Sequence, residues 1–164
     1  MAGPTCSVLH SNAVSAEHVV SELIALVAHA RDGEHFTVKD TRPIHGSYAG
    51  EGRPFILFSE SIDAGTADAI AALTGWYPAQ GIGFAAMCNG DEDHRILAEL
   101  ALWLAGRLSG YVDMGGEPDL PAGLPGNAHA LPYDTASGWE AHATLLDPTA
   151  LAAWMRCQAF RMVK

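Results

Sequence analysis

The sequence predicts a mixed α+β fold: a two-layer sandwich with a ferredoxin-like βαββαβ core, extended by a central buried helix and further strands. Three observations carry that expectation. Periodic segments between residues 7 and 88 follow one another as strand, helix, strand, strand, helix, strand, the succession of a split βαβ unit with its helices on one face. The stretch from Asn89 to Gly116 opens on acids and then runs apolar nearly all round through Ile96, Leu97, Leu100, Leu102, Trp103, Leu104 and Leu108; so little polar surface demands cover on several sides. At 164 residues the chain has the size of one domain, residues 1–164 forming a single unit, long enough to bury about two-thirds of its unfolded surface.

Each element has its own signal. Ser7-Val8-Leu9-His10 reads as a first strand, and Ser15 caps a helix with Val19, Val20, Leu23, Ile24, Leu26 and Val27 at three- and four-residue spacing, ending through Arg31 at Asp32-Gly33. His35 to Lys39 alternates as a second strand, with Phe36 and Val38 on one side. Asp40 to Pro54 is rich in Gly, Pro and polar residues and reads as a hairpin-like excursion or mobile loop, of a length that often carries function. Phe55 to Phe58 is a buried strand, Asp63 caps a helix from Ala64 to Leu73 that stops at Thr74-Gly75, and Ile82 to Cys88 is a further strand. After the central helix, Tyr111 to Met114 is strand-like, residues 115 to 138 form a long Pro/Gly/Ala surface loop, and Trp139 to Leu146 resumes strand alternation. Asp147-Pro148 opens a helix over Thr149 to Cys157, because proline suits the first helical position. Ala159 to Lys164 adds a short edge strand with Phe160 and Met162 inward. No internal repeat accompanies this pattern.

The totals bound function by exclusion. A formal charge of −10 with only nine Lys and Arg argues against nucleic acid, whose phosphates need cations, and favours basic partners. The three cysteines, Cys6, Cys88 and Cys157, are odd in number and far apart, which speaks for reduced thiols rather than a disulfide framework or a zinc knuckle. The opening MAGPTCSVLH has no basic, then apolar, leader, and no segment reaches the ~20 apolar residues of a membrane span. A cytoplasmic protein with no membrane association is the expectation.

Candidate chemistry is sparse. Asp91, Glu92 and Asp93, followed by His94, are the densest titratable group. Successive helical residues point about 100° apart, so at most two could meet one ion. Acids in a first turn are explained by the helix dipole. A metal there would need further ligands, with Asp113 and His45 first in line. The eight histidines form neither an HxH nor an HExxH pair. No metal site and no cofactor are expected. Cys88 precedes a helix N-terminus, where a thiolate is favoured, so a small hydrolase or transferase built on Cys88, His94 and Asp113 is the alternative to a binding protein. No nucleophile-elbow pattern accompanies it, and a cysteine there also serves as a small buried hydrophobe. The glycine pairs Gly81/Gly83 and Gly115/Gly116 match no phosphate-binding loop. Aromatics in irregular segments, Tyr48, Trp76, Tyr77, Tyr133 and Trp139, lie in the same stretches as the acids Glu51, Asp91, Glu117 and Asp134. Partly exposed rings with charges around them have the composition of a protein interface; as caps over the core edges Trp76 and Trp139 would serve packing alone.

The motif DEDHRIL, the strand end VDMGG and the terminus FRMVK resemble a family of small uncharacterised bacterial proteins. The resemblance spans most of the chain and brings no assigned activity. Small size, acidity and lack of catalytic motifs are similar in kind to immunity proteins, which neutralise a cognate toxin. By that analogy the partner is a basic toxin domain, gripped through Tyr48, Glu51, Trp76, Tyr77, Asp91, Glu117, Tyr133 and Asp134. A homodimer built on the same apolar surfaces is the other form of association to test.

Overall fold

The computed structural model describes residues 3–11, 16–134 and 140–163. Eight strands form one sheet in which every neighbouring pair is antiparallel. They are β1 (Thr5–His10), β2 (Ala28–Asp32), β3 (His35–Asp40), β4 (Ala49–Ser61), β5 (Gln80–Ala86), β6 (Tyr111–Asp113), β7 (Ala128–Asp134) and β8 (Glu140–Leu146), arranged β2-β3-β4-β5-β1-β6-β8-β7. The helices are α1 (Ala16–Val27), α2 (Ala64–Thr74), α3 (Asp91–Leu108) and α4 (Pro148–Trp154).

The α+β class is as expected, but the ferredoxin-like order is not what forms. That order sets β1 between β4 and β5; here β5 lies between β4 and β1, and the sheet continues beyond β1 through β6, β8 and β7. The helices also occupy both faces. Residues of α1, α3 and α4 share the main core with Val8, Phe55, Phe84 and Val112. Ile70 of α2 packs on the other face against Leu9, Leu131, Ala143 and Leu145. Successive strand residues alternate faces, which is why Val8 and Leu9, or Leu145 and Leu146, serve different cores.

The central helix is α3. Ile96, Leu97, Ala98, Leu100, Ala101, Leu104 and Ala105 are all 0 % exposed, covered by the sheet, α1 and α4. Each such leucine or isoleucine contributes roughly 1.5–3 kcal/mol by leaving water.

Four local readings are corrected. α1 stops at Val27, and the segment expected to continue it to Arg31 is β2, hairpinned onto β3. Asp32 pairs with His35 across a two-residue loop whose Gly33 has φ +59°, a conformation that glycine adopts without strain. Asp32-Gly33 is therefore a hairpin signal rather than a helix stop. The excursion from Asp40 to Pro54 is hairpin-like as expected, with Asp40 opposite Ala49 and one turn of 3-10 helix, Arg42–Ile44, between them, but its last six residues already belong to β4, which was expected to start at Phe55. β7 lies inside the expected 115–138 loop, an edge strand that tolerates Pro132 because one of its sides has no pairing partner. The tail up to Val163 is not a strand; Phe160 meets Trp154 edge to face, ring centroids 4.9 Å apart, and Met162 is buried. Asp63 and Asp147 cap α2 and α4 as expected, accepting from the N–H groups of Thr66 (3.0 Å) and Ala150 (2.7 Å), although α4 ends at Trp154 rather than Cys157. Ser15 and Trp139 lie outside the described residues. No helix among the described residues is long and apolar enough to cross a membrane.

Candidate functional site

Two buried carboxylates on α3 tie it to the start of β4 and shape a cleft there. The first is Asp93, 0 % exposed. It accepts from the Gly90 N–H at 2.7 Å while its own N–H donates to the Gly90 carbonyl at 3.0 Å, closing the helix start. The Arg53 guanidinium of β4 grips the same carboxylate through both Nε (2.8 Å) and Nη2. Asp93 in turn raises the arginine above its ordinary pKa, so the charge of Arg53 is spent inside the protein.

The second is Glu99, less than two turns along. One carboxylate oxygen accepts from the Ser47 N–H at 2.8 Å and the Ser47 hydroxyl at 2.7 Å, the other from the Thr41 hydroxyl at 2.5 Å. No cation takes part in these bonds; two hydroxyls and an amide solvate the charge. Gly46 is required for this approach, since a methyl there would overlap Thr41 and Glu99. His45 before it has φ +63°, an uncommon conformation for a side-chain-bearing residue.

With the 41–48 segment clamped in this way, Ser47 to Arg53 and Glu92 enclose an open cleft of about 410 Å³. Glu51 and Glu92 are exposed on it, and the only cation in its lining is the already paired Arg53. The Tyr48 ring lies across Gly50, with its hydroxyl donating to the Glu51 carbonyl. Burial first, and the charge of Glu92 next, raise the pKa of the Tyr48 hydroxyl and keep it protonated. The cleft is thus a hydrogen-bonding aromatic flanked by two exposed carboxylates that form no ion pair among the described residues.

The residues singled out in the sequence fall in three places. Tyr48 and Glu51 are in the cleft, and Asp91 is beside it, almost fully exposed and 3.5 Å from Arg161. Trp76 and Tyr77 precede the other end of β5, its seven residues separating them from the cleft by roughly 20 Å at ~3.3 Å per residue. There Trp76 is half-buried on Tyr111 (ring centroids 5.5 Å apart) and Tyr77 is exposed. Tyr133 is exposed on the β7 edge, and Glu117 sits 3.4 Å from His142 of β8; the side chain of Asp134 is outside the described set.

Of the alternative catalytic set, Cys88 precedes α3 and His94 lies in its first turns, whereas Asp113 is on β6. Cys88 follows β5 and is half-buried, and His94 is 1 % exposed with Nε2 3.1 Å from the Asn89 side-chain oxygen. Asp113 is opposite Ser7, which is opposite Gly83. It therefore lies level with Gly83, three residues before the end of β5 and five before Cys88. His45 borders a different hollow with Arg95 and Glu99. Among the described residues no three His, Cys, Asp or Glu side chains gather as a metal set.

Arg53, Thr41, Ser47 and Glu99 escape sequence reasoning because their roles are long-range. Glu99 did leave a signal: an acid within an apolar helix must find buried donors or disrupt the core.

Fold and cleft together define an α+β protein with helices on both faces of a single antiparallel sheet and an acidic, rigidly framed cleft at the start of its central helix. The chain belongs to a family of unknown function, DUF6368, which it matches over residues 2–164. Searches of curated proteins and of solved structures found no match.

Proposed function

We propose that this is a non-enzymatic binding protein of immunity or inhibitor type, which neutralises a basic toxin domain by receiving it at the Tyr48–Glu51–Glu92 cleft. The observation that carries the reading is the charge balance of the cleft: its one lining cation is ion-paired to buried Asp93, and Glu51 and Glu92 stand exposed without an ion pair of their own among the described residues on a chain of net charge −10. Opposite charge accelerates encounter, and a preorganised rim avoids the cost of ordering side chains on binding. The clamps at Asp93 and Glu99 provide that preorganisation. Tyr48 supplies a rigid ring with a polar tip, a residue type that anchors interfaces. Because Trp76, Tyr77 and Tyr133 are dispersed, the reading rests on the cleft and on Asp91 beside it.

The test is co-expression with the toxic product of the adjacent reading frame, scored by growth and by isolation of the complex. The wild-type chain protects, and the Glu51→Lys/Glu92→Lys variant loses protection while remaining folded. Full protection by the charge-reversed chain, or an adjacent product that neither poisons growth nor binds, would sink the reading.

A further inference from the structure

A separate hollow lies on the second face of the sheet. Ile70 of α2 covers that face over Leu9, Leu131, Ala143 and Leu145, whereas Phe58 and Glu60 of β4 remain exposed on it. Pairing sets one row across it, Phe58 opposite Gly83, Gly83 opposite Ser7 and Ser7 opposite Asp113, with Glu60 opposite Gly81 in the next row. Ser7, Gly81 and Gly83 keep the floor low, and a methyl at Gly83 would run into the Phe58 ring. The space left is about 230 Å³, with Phe58 and Glu60 on one wall and Asp113 on the other.

The chemistry of the hollow is one-sided. Asp113 accepts from the Gly115 N–H at 2.8 Å; desolvation, its largest influence, and the charge of Glu60 both favour its protonated form. No Lys, Arg or His borders the space. A carboxylate held in a desolvating wall, facing a second acid and an aromatic ring, lacks a cation, and a cation on an aliphatic stem suits all three groups.

We propose that this hollow receives a lysine or arginine side chain of the basic protein partner, its charge between Asp113 and Glu60 and its stem along Phe58. The identity of the donor as a partner protein rests on the function proposed above; the selectivity of the hollow for a cationic side chain does not. Net charge −10 supplies the complementarity. The site is distinct from the cleft, so a partner engaging both would gain from two-point attachment.

The test uses the full chain and a small probe, Nα-acetyl-lysine methylamide, with Nα-acetyl-norleucine methylamide as the uncharged control, followed by NMR at the Asp113 carboxyl and the Phe58 ring. The lysine probe should lower the Asp113 pKa and shift Phe58 saturably, the norleucine probe should do neither, and Glu60→Gln, at an exposed position, should weaken the lysine probe threefold or more. Equal response to both probes, no response, or unchanged affinity in both Glu60→Gln and Asp113→Asn would overturn the proposal. Spermidine binding at least as well as the lysine probe, with no competition from the toxin domain, would also overturn it by assigning the hollow to a free polyamine. Lysine-probe binding alongside failed growth protection would reject the toxin reading alone; protection without probe binding would reject the hollow alone.

Discussion

Glu99 shows how a single acid can organise a loop. Its carboxylate holds the Ser47 amide and the hydroxyls of Ser47 and Thr41, and each donor left without an acceptor costs about 1–3 kcal/mol. Glu99→Ala should therefore lower unfolding free energy by about 3 kcal/mol in urea titration, and Glu99→Gln, which keeps one acceptor oxygen, by less. At the other clamp, Arg53→Met would leave Asp93 buried without its cation and should cost about 3–5 kcal/mol. Asp113 behaves in the opposite sense. Its folded pKa lies above the ordinary 3.8, so the native state binds the proton more tightly than the unfolded chain. Stability then falls as pH rises from the unfolded value through the raised folded one, and the deficit stays above it. Asp113→Asn, which can still accept from Gly115, should be more stable than wild type at pH 7, with the advantage vanishing below about pH 4; parallel urea titrations across pH check this. The inert role of Cys6 also belongs to this scale, since burial, reinforced by Asp113, pushes its thiol far above the usual range.

At the scale of elements, legibility follows the strength of local signals. α2, α3 and the start of α4 were readable because caps, a left-handed Gly75 and dense apolar periodicity are written within a few residues. β2 was not, because Ala28-His29-Ala30-Arg31 has no face of its own and becomes a strand only by pairing with β3. β7 and the first half of β4 were hidden in the same way: glycine and proline weaken local preference, and pairing across the sheet overrides it. The order of the strands was beyond reach, since antiparallel neighbours distant in sequence leave no periodic mark. α2 tests whether the second face is an independent packing unit. Ile70→Ala should cost about 2–5 kcal/mol by opening a cavity over Leu9 and Leu145, and amide exchange in β7 should accelerate more than in β5.

For the molecule as a whole, acidity was legible and its distribution was not. The sequence pointed to Tyr48, Glu51 and Asp91, which do lie together or adjacent, and also to Trp76, Tyr77, Glu117 and Tyr133, which the sheet carries elsewhere. It did not reveal that Arg53 is neutralised from within, and that pairing is what makes the cleft acidic. Electrostatic capture through exposed carboxylates is screened over ~8 Å at physiological salt, so association should slow steeply as salt rises while dissociation changes little. The most direct test is the association rate with the basic toxin domain proposed as its partner, measured for the wild-type chain and for Glu51→Lys/Glu92→Lys at low and high salt. The cleft account predicts a fall of tenfold or more on charge reversal at low salt, and a difference that shrinks as salt is added; equal rates for the two chains at every salt concentration would contradict it.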